Sequence, residues 1–147
     1  MIGDSLVEEM LQKALTLNEA VAWMESNDKK VQDDVIKLIQ KKQLLDLGVD
    51  ETGSVIGYYS AMTEIISGGR KKQGDPYNLK DTGRFFSSMY VKVMMDSIII
   101  DANYEKMEDQ DWWSTSILGL TDENLDIYVE KIKENFISYT RRVLGLD

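Results

Sequence analysis

The sequence predicts an α+β fold: a small antiparallel sheet with hairpins, packed by N-terminal helices and a long C-terminal helix. Three observations predict it. Apolar residues recur at three- and four-residue spacings near both ends of the chain. Two short β-branched segments, 89–94 and 98–102, flank a Met95-Asp96-Ser97 turn in the middle. No internal repeat or linker divides the 147 residues, a length that suits one core. The expected organisation is one domain over 1–147, with helices in 4–42, a hairpin and sheet region in 44–103, and a helix over 121–144.

The first helix is expected over 4–26. Leu6, Met10, Ala14, Leu17, Val21 and Met24 share one face, and Asp4 or Ser5 serves as N-cap. Glu8 and Glu9 sit in the first turn, where the helix dipole favours them. Asn27-Asp28 breaks the pattern. A second helix follows over 31–42, with Val35, Leu38 and Ile39 as its apolar stripe and Lys37, Lys41 and Lys42 toward its C-terminus. The 44–59 segment reads as a hairpin or hairpin-like loop around Asp50-Glu51-Thr52-Gly53. Residues 60–66 read as a short helix or turn.

The 68–76 segment, Gly-Gly-Arg-Lys-Lys-Gln-Gly-Asp-Pro, reads as a long loop carrying the basic run Arg70-Lys71-Lys72. A short helix or turn then enters the 89–94 strand, which pairs with 98–102. Residues 104–120 are irregular and hold Trp112-Trp113. Thr121 caps the last helix, whose apolar face is Leu125, Tyr128, Val129, Ile132, Phe136, Tyr139 and Val143; Gly145 stops it.

Composition excludes several chemistries. A hydrophobic share of 43% and a charged share of 29% are those of a folded domain, so whole-chain disorder is not expected. The formal charge of -9 disfavours a whole-protein DNA binder, which needs clustered Lys and Arg. Without cysteine or histidine there are no disulfides, thiolate or imidazole metal sites, or serine–histidine hydrolysis. The opening MIGDSLVEEM lacks a basic start followed by an apolar run, so no secretory signal is expected, and no apolar run is long enough for a membrane span.

The remaining motifs read as structure. Asp81-Thr82-Gly83 matches the aspartic-protease triplet, but those enzymes set two such aspartates in an all-β frame. Here the triplet reads as a turn, its side chains bonding nearby backbone. Asp50-Glu51-Thr52-Gly53 lacks the register of a calcium loop. Gly68-Gly69-Arg70-Lys71-Lys72 lacks the strand and helix flanks of a phosphate loop and reads as an exposed basic loop, able to touch DNA or an acidic partner locally. Glu108-Asp109-Gln110-Asp111 reads as a solvated acidic turn. Trp112 and Trp113 cannot both face one core from a regular element, so one is expected to be partly exposed or buried in a subunit contact. Arg70, Lys71, Lys72, Trp112 and Trp113 are therefore the candidate interface residues. No catalytic residue, cofactor or metal is expected. The rival readings are a small enzyme using carboxylates and a monomeric adaptor outside any particle.

The order of the elements carries a resemblance. The Leu45-to-Gly53 turn region is followed by Tyr58-Tyr59-Ser60-Ala61-Met62-Thr63, a Gly/Lys-rich loop, Leu79-Lys80-Asp81-Thr82-Gly83-Arg84-Phe85-Phe86-Ser87-Ser88, and a β-hairpin. Over roughly residues 40 to 146 this resembles the phage virion-morphogenesis and tail-completion families, the head–tail connector proteins. Their members carry a D-x-x-G turn, a basic loop, and L-x-D-T-G-x-L-x-x-S before two strands. Phe85 stands here for the usual leucine. The 117–125 segment looks most like versions in phages of Bacteroidetes, crAss-like phages among them. The resemblance implies a connector-type subunit that forms a ring, often dodecameric, in the neck between portal and tail. A tail-terminator, tail-completion or tail-tube subunit is the alternative. It further implies structural turn roles for Asp81, Thr82 and Gly83, and an anchoring role for Phe85 and Phe86. The partners would be other copies, the portal or an adaptor, and tail proteins. DNA would pass through the lumen without specific binding, with no membrane involved. The place would be the virion, after assembly in the host cytoplasm.

Overall fold

The computed structural model describes residues 2–80, 83–103 and 115–146. The fold is α+β. Helices α1 (Ile2–Leu15), α2 (Glu19–Ser26) and α3 (Lys29–Lys37) lead into a π-helix (Leu38–Leu47). Short helices α4 (Ala61–Ile66) and α5 (Arg84–Ser87) precede strands β1 (Tyr90–Val93) and β2 (Ile98–Asp101). A 3-10 turn (Thr115–Leu118) leads to the long helix α6 (Asp122–Val143).

The expected first helix over 4–26 is two helices. The Asn18 side chain accepts from the Val21 backbone N–H and starts α2, while the Thr16 hydroxyl bonds back to the Lys13 carbonyl. These local side-chain bonds offer the backbone an alternative to continuing the helix. Asp28 caps α3 in the same way, through the Val31 N–H at 2.9 Å. That start lies two residues before the expected one.

The second helix does not stop at Lys42, and no hairpin begins at Leu44. Buried positions 38, 39, 43, 44, 48 and 49 repeat every five residues. The wider turn of a helix bonded i to i+5 brings such positions closer to one face than the α-helical period does. Gly48 ends the π-helix in the left-handed conformation, φ 61°. A Cβ there would strike the Tyr77 carbonyl oxygen and the Pro76 ring, so both backbone angle and close approach demand glycine. Of the expected 44–59 hairpin there remains one isolated bridge, Val49 to Val55, around the Asp50 turn.

Strands β1 and β2 pair antiparallel, with Tyr90 opposite Asp101 and Val93 opposite Ile98. They form the only named sheet among the described residues. Val91, Ile98 and Ile100 turn one face onto Val31, Val35 and Tyr128. The main core joins Ile39 and Leu44 of the π-helix to Phe85, Phe86, Met89, Ala102, Ile117 and Leu118. Burying each phenylalanine contributes on the order of 2–3 kcal/mol.

Candidate assembly surfaces

Of the Asp81-Thr82-Gly83 triplet, Asp81 and Thr82 lie outside the described residues. Gly83 caps α5 with φ 84°, a left-handed value that glycine adopts without steric cost. The residues after it brace the hairpin. Phe85 and Phe86 enter the core, and the Phe86 carbonyl accepts from Gln40 of the π-helix at 2.8 Å. The Ser88 hydroxyl accepts the Asn103 N–H at 2.9 Å, joining the two ends of the hairpin. Among the described residues of this segment, these contacts brace the hairpin against the core.

The 68–76 segment, expected as an exposed basic loop, folds back on 57–59. Tyr59 donates its N–H to Asp75, Gly74 donates to Tyr59, and Tyr77 donates to Gly57. The Tyr59 ring meets Tyr77 edge-on at 4.9 Å, and the Lys71 ammonium sits 5.4 Å from the Tyr59 ring centre. Lys72 lies 3.7 Å from the Glu64 carboxylate, and Arg70 Nε donates to the Ser67 carbonyl. Arg70 and Lys72 remain exposed; Lys71 is half-buried. The three basic residues are thus brought together but partly engaged within their own turn. Trp112 and Trp113 lie outside the described residues. The remaining tryptophan, Trp23, donates from its ring to the Met94 carbonyl at 2.9 Å and pins α2 to the hairpin tip.

Two buried polar clamps were not anticipated. Gln43, on the π-helix, donates to the Gly119 carbonyl and accepts from Thr121 N–H and the Asn124 side chain. Tyr128 donates its hydroxyl to Asn27, and burial pushes that phenol up to about 12. Further along α6, Lys131 pairs with Asp34 at 3.1 Å and Asn135 donates to the Ser26 carbonyl. Asn124, Tyr128, Lys131 and Asn135 follow helical spacing, so the inner face of α6 is a polar row. That spacing was the available signal.

The expected apolar face of α6 therefore turns only in part toward the body. Tyr128 is buried, and Ile132, Tyr139 and Val143 are half-buried. Leu125, Val129 and Phe136 point out, each more than 40% exposed. Of the expected N-terminal stripe, Leu6, Val21 and Met24 are exposed and Met10 and Leu17 half-buried; a second row, Val7, Leu11 and Leu15, is more than half exposed. Met62, Ile65 and Ile66 of α4 and Met95 at the hairpin tip extend the open apolar surface. Single exposed apolar residues are ordinary, but rows along whole helices mark contact surfaces.

Signs of chemistry are sparse. Among the described residues, no three Asp or Glu side chains gather to hold a metal ion. No helix there is long and apolar enough to cross a membrane. A shallow cleft of about 280 Å³ between α3 and β1 is lined by Lys29, Asp33, Lys37, Gln40 and Tyr90. The perturbed carboxylate, Asp50, lies elsewhere, held low by its bond from the Thr52 hydroxyl. No protein-family model matches the chain, and no curated protein or solved structure shows detectable similarity to it.

Proposed function

We propose that this chain is a structural subunit that assembles with copies of itself into a ring in the head–tail connector of a tailed bacteriophage, joining portal to tail. The observation that carries the assembly reading is the pair of open apolar rows on α1 and α6 of one chain. Rows of that length are costly to leave in water, and a neighbouring subunit removes the cost. The neck assignment rests on the ordered segments of the sequence, from the Asp50 turn through Leu79–Ser88 to the hairpin, and on their likeness to connector proteins.

Other features agree with a passive assembly part. The buried polar groups on α6 hold helices together rather than meeting a pocket. A charge of -9 suits a ring through which DNA slides, because like charge keeps the duplex from sticking. Distinct surfaces in head-to-tail contact close into a ring when the rotation divides the circle, and many copies multiply a weak grip on the next layer. The direct test is cryo-EM of intact particles together with the mass of the purified chain in solution. A ring of this chain between portal and tail is the expected result. Absence from the particle overturns the neck reading, and a lumen lined mainly by Lys and Arg overturns its charge argument.

A further inference from the structure

We infer that α1 of one copy docks, antiparallel, along the outward apolar row of α6 on the next copy. The inference rests on the assembly reading above and names the contact that would build it.

Helix α1 needs a partner. Lys13 lies beside Gly145 at the end of α6, and Met10 is half-buried, so one edge of α1 leans on its own body. A second row, Val7, Leu11 and Leu15 at four-residue spacing, faces solvent, each residue more than half exposed. A helix of 14 residues is marginal in water without a packed face. On α6, Leu125, Val129 and Phe136 form a row that no described element covers. At the α-helical rise, the α1 row spans about 12 Å and the α6 row about 17 Å, so one fits along the other.

Charge selects the orientation and the occupant. On α1, Glu8 flanks the row, whereas Glu9 and Lys13 pair with each other on the opposite side of the helix. On α6, Asp122, Asp126 and Glu130 lie toward the start of the row and Lys133 toward its end, next to Glu134, while Arg142 pairs with Glu25 of α2. Antiparallel packing sets Glu8 against Lys133. Parallel packing opposes acid to acid. The helix dipoles favour the same antiparallel sense. The chain thus carries both halves of a complementary pair on different surfaces, the property of a head-to-tail contact.

The chain has no cysteine, so introduced thiols report without background. Full-length Leu11→Cys and Val129→Cys variants, mixed under mild oxidation, are expected to give a mixed disulfide dimer. Ser54→Cys, exposed in the Asp50 turn, is expected to give far less with Val129→Cys. Glu8→Lys and Lys133→Glu should each lower the mixed yield roughly 2- to 5-fold, and the two together should restore it. Equal yields from Leu11→Cys and Ser54→Cys, or no rescue by the charge exchange, overturn the contact. A wild-type oligomer by mass with no mixed disulfide sinks this contact and leaves the assembly reading standing. A wild-type chain that stays monomeric, with no mixed disulfide, sinks both.

Discussion

The side-chain amide of Asn124 donates to the side-chain carbonyl of Gln43 at 2.9 Å, across 81 positions of sequence and with both residues buried. The same Gln43 oxygen accepts the Thr121 N–H at 3.0 Å, and its amide donates to Gly119 at 2.9 Å. One side chain therefore fixes the start of α6 onto the π-helix. Replacing it strands several buried polar groups at once. Gln43→Leu should lower unfolding stability by about 2–4 kcal/mol in chemical denaturation. A change within about 0.5 kcal/mol, typical of a surface site, would show that the clamp carries no stability.

Tyr128 makes the second clamp, to Asn27. Its raised ionisation, from 10.0 to about 12, means that the folded state prefers the neutral phenol. The contribution is complete below pH 10 and is lost between pH 10 and about 12. Tyr128→Phe should cost about 1–3 kcal/mol at neutral pH, because the Asn27 oxygen stays buried without its donor. It should also flatten the decline in melting temperature over that alkaline range. Parallel alkaline profiles for the two proteins would contradict the assignment.

Gly48 and Gly83 share a left-handed backbone but differ in surroundings. A Cβ at Gly48 meets the Tyr77 backbone and Pro76; at Gly83 it meets nothing within 4 Å. Gly83→Ala should cost about 1–2 kcal/mol, from conformation alone. Gly48→Ala should cost clearly more, since the turn at 76–77 must move. Equal losses in thermal denaturation would mean that the 76–77 turn yields freely.

Asp50 accepts from the Thr52 N–H, the Thr52 hydroxyl and the Ser54 N–H. These bonds hold its carboxyl below its ordinary 3.8. A lowered folded value gives stability that is present above pH 3.8 and is lost as pH falls through the folded value. Asp50→Ala should therefore melt lower than wild type at neutral pH, and the gap should close in acid. A gap independent of pH would place the effect in the backbone rather than the carboxylate.

Much of the local structure was legible in the residues. Thr121 caps α6 through the Asn124 N–H, and the hairpin register follows the β-branched runs around Met95-Asp96-Ser97. Gly83 marks the turn before α5, and Phe85 and Phe86 anchor it. These features depend on neighbours within a few positions, so side-chain type and spacing specify them. The basic loop was legible as a loop, but its fastening to Tyr59 and Tyr77 was not, because that contact joins turns separated in sequence.

By itself, then, the sequence determined the fold class, the central hairpin, the Thr121 cap, the turn at Gly83, and the exclusion of thiol and imidazole chemistry. Tertiary structure alone decided the π-helix and the orientation of α6. The stretch 38–49 satisfies its burial with a period of five, set by the surfaces it must meet on Phe85, Ile117 and Leu118 rather than by any local preference. Helix α6 offered two rows, one polar and one apolar. Distant partners, Asn27, Asp34 and Gln43, drew the polar row inward, because buried donors and acceptors are stable only when paired. That choice left Leu125, Val129 and Phe136 facing outward, a consequence no local pattern could announce.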